Sequence, residues 1–137
     1  MSFIIYSFGC YGNGEGEFDC LAGVAVNKIG QYIIADRYNH RIQIFDATGH
    51  FIRAFGSQGT VDGKFSYPWG ITTDNLGLIY VCDKENHRVQ VIFYVKSNDQ
   101  KKKLNYFFFR YSNQTVHLLA NLGPWEVNRV IWNILIT

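Results

Sequence analysis

"DRYNHRIQIF" at residues 36–45 returns as "DKENHRVQVI" at 83–92, with Asp, Asn-His-Arg and Gln at the same spacing. The copies agree in their polar residues and in their hydrophobic alternation together, which marks a repeated structural unit. The offset is 47 residues and holds without a gap from Ile5 to Phe93. Phe8-Gly9 answers to Phe55-Gly56, Gly12 to Gly59, Gly16 to Gly63, Phe18 to Phe65 and Gly23-Val24 to Gly70-Ile71. After Phe93 a counterpart of "HFIRAFG" is due, and the chain reads "YVKSNDQKKKLNYFFFRY" instead.

Each unit holds four β-favourable runs separated by turn residues. In the first copy they are "GVAVN" (23–27), "QYIIAD" (31–36), "RIQIF" (41–45) and "FIRAF" (51–55). Ile42 and Ile44 alternate against Arg41 and Gln43, the period of a half-buried strand. "DATGH" supplies a turn in which Gly49 can take positive φ. The second copy offers "GITTD", "LIYVCD" and "RVQVIF", and no part of 23–93 shows sustained helical spacing. Four antiparallel strands recurring at this period are the signature of a β-propeller blade, in preference to a plain sandwich or meander.

The repeated polar set reads first as a structural staple. Asp36 closes the second strand and Arg41 opens the third, so their charges can pair across the connecting loop. Asn39 suits a left-handed turn position, and His40 can donate to a nearby backbone carbonyl. Asp83, Asn86, His87 and Arg88 repeat the device.

Charge divides the chain in the same place as the repeat. Residues 1–93 carry seven Lys/Arg and nine Asp/Glu, a net of −2, whereas 94–137 carry six and two, a net of +4. The repeats therefore offer no broad electrostatic footprint for phosphate. Cys10, Cys20 and Cys82 are an odd number without a C-x-x-C pair, which points to reduced thiols and a cytoplasmic setting. The N-terminal "MSFIIYSFG" lacks a basic n-region and aligns with "GHFIRAFG", so it reads as a strand of a preceding blade rather than a signal. No run reaches eighteen apolar residues, and no membrane partner is expected.

"GVAVNKIGQYIIADRYNHRIQIFDATGHFIRAFG" resembles the NHL repeat, whose triplet stands here as Asn39-His40-Arg41 and Asn86-His87-Arg88. The link "GSQGTVDGKFSYPWGI" is similar to the segment between blades in NHL domains of tripartite-motif proteins. The resemblance covers residues 3–93. It implies a propeller of about six blades that recruits RNA or protein partners to ubiquitin-ligase or translational-repressor machinery.

The expectation is an all-β chain, an incomplete NHL-type β-propeller of about two blades of four antiparallel strands with a non-repeat tail. Residues 1–93 hold the repeats: a strand of a preceding blade at 3–9, a full blade at 23–56 and three strands of the next at 70–93. Residues 94–137 form the tail, read as non-native or disordered, with a short helix near 127–135 from the spacing of Val127, Val130, Ile131, Ile134 and Leu135. That helix fits a membrane-surface or partner element, but the break in mid-blade favours translated non-coding sequence. Because a propeller needs more blades to close, the chain reads as a fragment whose partners include further blades of its parent.

Catalysis finds little support. "GNGEGEF" (12–18) links strand to strand, so no helix N-terminus awaits a phosphate. Three cysteines and four histidines do not make the paired metal sites of a RING or B-box. No cofactor and no metal are expected, and the parent's ligase chemistry would lie outside this chain. An NHL-like propeller also occurs in a metal-dependent peptide-amidating lyase, the enzyme alternative, which would need histidines converging on a channel. Recognition is the better reading. The loops between second and third strands and between blades carry Arg37, Tyr38, His40, Tyr67, Trp69, Lys84 and His87. Aromatic planes beside cations suit single-stranded RNA, and equally the hot spots of a protein interface; DNA is not expected.

Overall fold

The computed structural model describes residues 1–94 and 106–109. Among the described residues ten strands follow in chain order. A short parallel pair, β1 (Cys10–Tyr11) and β2 (Glu17–Phe18), precedes a four-stranded antiparallel sheet. That sheet is β3 (Leu21–Val26), β4 (Tyr32–Asp36), β5 (Arg41–Phe45) and β6 (Phe51–Phe55), hydrogen-bonded in that order. A second sheet follows from β7 (Pro68–Thr73), β8 (Leu78–Asp83), β9 (Arg88–Tyr94) and β10 (Tyr106–Phe109). The 47-residue offset reaches down to single bridges, since Tyr11↔Phe18 is matched by Gln58↔Phe65.

Strand pairing sorts the side chains onto two faces of each sheet. In the first, Ile33 stands opposite Ile44 and Ala35 opposite Ile42. These four, with Phe55, are buried together with Ile79, Val81 and Ile92 of the second sheet and Phe65 of the link, with Ile71 at the margin. Each fully buried Ile, Val or Phe contributes about 1.5–3 kcal/mol, so this inter-sheet layer is the main source of stability. The other face of the first sheet gathers Phe18, Ile34 and Phe45, with Phe8, Tyr32 and Phe51 packed on them. The two sheets are thus stacked blades, each presenting one face forward and one back.

Three expectations need correction. Residues 3–9 form no strand, because none of the described residues offers them a ladder partner. They make side-chain contacts with the first blade instead: the Tyr6 hydroxyl donates to the Ala47 carbonyl at 2.7 Å, and the Phe8 ring lies 5.0 Å from the Phe45 ring. Lys84–Asn86 forms a single 3-10 turn where no helix was expected. Residues 70–93 hold the three expected strands, but the tail adds a fourth to this blade, because "YFFF" at 106–109 pairs antiparallel with β9, Phe107 opposite Phe93. Aromatic residues favour such a strand even where the repeat has lapsed. The helix expected near 127–135 lies outside the described residues.

Candidate recognition site at the blade junction

The site begins with a buried carboxylate. Asp36 ends β4 fully buried, and its two oxygens accept from the Asp19 amide (2.8 Å), Asn39 Nδ2 (3.0 Å), Arg41 Nε (2.7 Å) and Gln43 Nε2 (3.0 Å). Those donors reach onward to the Gly-rich link. Arg41 donates to the carbonyls of Asn13, Gly14 and Glu17, Asn39 to that of Gly12, and Gln43 to that of Glu17. Charge-assisted bonds of this kind are among the strongest available, and here they fix the link against the sheet. Asp83 repeats the hub with the Ser66 amide (2.7 Å), Asn86 (2.9 Å), Arg88 Nε (2.8 Å) and Gln90 (3.0 Å). The ion pairs join Asp36 to Arg41 and Asp83 to Arg88.

Two roles within the loop differ from the sequence reading. The left-handed residue is His40 (φ 51°) and its repeat His87 (φ 53°), not Asn39 or Asn86. Histidine tolerates that conformation, and Asn39 is held by the carboxylate it serves. His40 also accepts rather than donates: the Tyr67 amide donates to its Nδ1 at 3.1 Å, joining one blade to the next. Tyr67 is itself left-handed (φ 53°), and its ring lies 4.4 Å from the imidazole.

This bond carries a pH dependence. Burial pushes the His40 imidazole below its ordinary value of 6.5, with the charge of Asp83 opposing the shift. As pH falls the unfolded chain therefore binds the proton first, so stability is full above about 6.5 and declines below it. Chemical denaturation across pH 5–8 should show this slope, and His40→Asn, suited to positive φ, should flatten it.

Around the lock sits an aromatic and cationic cluster. The Arg37 guanidinium lies 4.2 Å from the Trp69 ring centroid and 5.1 Å from that of Tyr38, and Lys84 Nζ lies 4.8 Å from Trp69. Tyr38 and Tyr67 meet edge to face at 5.8 Å. A cleft of about 800 Å³ opens beside them, lined by Asp19, Arg37, Tyr38, Ser66, Tyr67 and Glu85. Arg37 Nε is buried without a hydrogen-bond partner among the described residues.

The structure therefore brings Arg37, Tyr38, His40, Tyr67, Trp69 and Lys84 together at the junction. His87 holds the same left-handed position in the second blade, but is exposed instead of packed on a tyrosine. Sequence reasoning missed Asp19, Ser66 and Glu85. Their signal was the offset itself, since Asp19 and Ser66 are equivalent positions whose carbonyls accept from the Tyr38 and Glu85 amides. It also missed that Trp69 already carries two cations, so a ligand ring competes with them for its face. Among the described residues no three His, Cys, Asp or Glu side chains are grouped to hold a metal, and no helix is long and apolar enough to cross a membrane.

The NHL repeat family matches residues 18–45 and 65–92. Protein lin-41 of Caenorhabditis elegans is 48% identical over 48 residues, covering 35% of this chain and 4% of that protein. Protein brain tumor of Drosophila melanogaster is 54% identical over 44 residues, covering 32% and 4%. E3 ubiquitin-protein ligase TRIM71 of Rattus norvegicus is 49% identical over 47 residues, covering 34% and 6%. The aligned stretch thus spans 4–6% of these relatives' length. NHL repeats are a non-catalytic interaction module. Matched in sequence at residues 18–45 and 65–92, and folded there as two stacked antiparallel blades with one polar hub each, this chain carries NHL repeats in an incomplete NHL-type β-propeller arrangement, similar over that stretch to brain tumor and TRIM71.

Proposed function

We propose that the junction face of Arg37, Tyr38, His40, Tyr67, Trp69 and Lys84 binds single-stranded RNA, with His87 contributing from the next loop. The carrying observation is the stack of two cations on Trp69 beside the Tyr38–Tyr67 pair, at the mouth of the cleft. A base exchanging for one cation on the indole would release that cation toward its phosphate, coupling stacking to charge. In this reading the parent is a cytoplasmic protein of the tripartite-motif NHL kind, and the propeller directs its ubiquitin-ligase or repressor machinery to the bound transcript. The three exposed free cysteines agree with a reducing compartment.

A second reading is a protein partner. It is favoured by Asp19 and Glu85 in the cleft wall, which make the surface mixed in charge, and by the 3.6 Å approach of Glu85 to Lys84. Fluorescence anisotropy of a labelled single-stranded RNA with the full chain separates the two. Arg37→Ala and Lys84→Ala should each weaken binding, and each should reduce the salt slope by about 0.7 per lost phosphate contact. Unchanged RNA affinity in both variants, with an unchanged melting curve, would overturn the RNA reading.

A further inference from the structure

Between the two copies of the repeat the hub is constant and the rim around the cleft is not. Asp36, Asn39, His40, Arg41 and Gln43 return unchanged as Asp83, Asn86, His87, Arg88 and Gln90. At the rim, Asp19 is answered by Ser66, Arg37 by Lys84 and Tyr38 by Glu85. The same clamp forms over both sets, so the rim side chains are not chosen by the fold and are open to selection by a ligand.

Two polar groups in the cleft wall lack a partner among the described residues. One is Arg37 Nε, left unpaired while the guanidinium rests 4.2 Å from the Trp69 ring centroid. A buried donor without an acceptor is costly, so Arg37 gains when a ligand lifts it from the indole and brings an acceptor to that edge. The other is the Asp19 carboxylate. Its backbone is engaged, the amide donating to Asp36 and the carbonyl accepting from the Tyr38 amide, but nothing donates to its side chain. Glu85, across the cleft, already stands 3.6 Å from Lys84 Nζ.

We propose that the base read in this cleft is guanine, which rests on the RNA reading above and names the nucleotide it selects. The Nε–Nη edge of a guanidinium offers two parallel donors, and a carboxylate offers two acceptors. Among the four RNA bases only guanine carries both counterparts: adjacent acceptors O6 and N7 on one edge, adjacent donors N1–H and N2–H on another. With the purine lying on Trp69, Arg37 takes the first edge and Asp19 the second. Uracil, cytosine and adenine would each set an acceptor or a bare C–H against one carboxylate oxygen. The Asp19 charge also keeps phosphate away from its own position, while the second edge of Arg37 stays available to the backbone. Ser66 and Lys84 supply neither a two-oxygen acceptor nor a planar fork, so the reading belongs to this junction.

Fluorescence anisotropy of the full chain with labelled oligouridine tests this, the central position being uridine, guanosine, inosine or 7-deazaguanosine. The guanosine oligomer should bind about 5–150-fold tighter than the all-uridine one, the span of good bidentate base contacts. Inosine lacks the N2 amine and 7-deazaguanosine lacks N7, so each should forfeit part of that preference. Asp19→Asn should erase the distinction between guanosine and inosine. Arg37→Lys, a point charge without the fork, should erase that between guanosine and 7-deazaguanosine. Each distinction is a ratio within one variant, so a change in the folded fraction cancels from it. Equal affinity of the wild type for the guanosine and uridine oligomers would overturn the guanine assignment and leave the RNA reading standing. Absence of binding to every oligomer would remove both. Distinctions that survive in both variants would overturn the roles of Asp19 and Arg37.

Discussion

Asp36→Ala should unfold the first blade's loop and cost about 3–5 kcal/mol, because it leaves the Arg41 charge without its buried partner. The penalty exceeds that of one lost ion pair. Asn39, Arg41, Gln43 and the Asp19 amide all donate to this carboxylate, so four donors lose an acceptor at once. Asp36→Asn keeps the shape and one oxygen but forfeits the charge, and should cost about 1–3 kcal/mol. Urea denaturation followed by fluorescence reads both values. Since small domains hold only about 5–15 kcal/mol in total, the Ala variant should lose a large share of its stability. A midpoint shift equal to that of a surface substitution would show that the hub sets geometry without adding stability.

Gly23→Ala and Gly70→Ala should diverge although they occupy equivalent positions. At Gly23 the new methyl would meet the Trp69 carbonyl oxygen at 2.5 Å and the Ile71 nitrogen at 3.1 Å, both backbone atoms that cannot swing aside. The inner strands must separate, and the buried layer between the blades opens with them. Overpacking of this kind typically costs about 1–3 kcal/mol, and here the upper end applies. At Gly70 the nearest atom is the Cys82 sulfur at 3.5 Å, an ordinary contact, so the effect should stay within about 0.5 kcal/mol. Thermal melts of the two variants side by side make the comparison, and equal losses would mean that the blades do not rely on close approach at Gly23.

The period made the architecture legible, because a 47-residue copy fixes which residues share a face before any contact is known. What stayed hidden depends on partners distant in sequence. Gln43 alternates with Ile42 and Ile44 as a solvent-facing residue would, yet it is fully buried. The reason is the link, which folds back across that face so that Gln43 accepts from the Gly16 amide and donates to the Glu17 carbonyl, 26–27 residues away. The choice of His40 over Asn39 for positive φ has the same origin, since Asn39 is claimed by the Gly12 carbonyl and Asp36. Residues 3–9 align with the fourth strand of the repeat, but they form no strand, because a strand exists only where a neighbouring ladder does. The junction residues were found by type. Their mutual arrangement, with cations resting on the indole, is set by the stacking of blades and leaves no local trace in sequence.

The hub addresses its link through main-chain atoms. Arg41 reaches the carbonyls of Asn13, Gly14 and Glu17, and Arg88 reaches those of Thr60, Val61 and Lys64. "NGEGE" and "TVDGK" thus share one path with almost no side chains in common. Folding and recognition are written in separate alphabets: the clamp reads peptide oxygens, and the solvent reads whatever side chains stand above them. Positions 13, 15, 60 and 61 can accordingly be rewritten to alter what the surface meets while the blade beneath keeps its form.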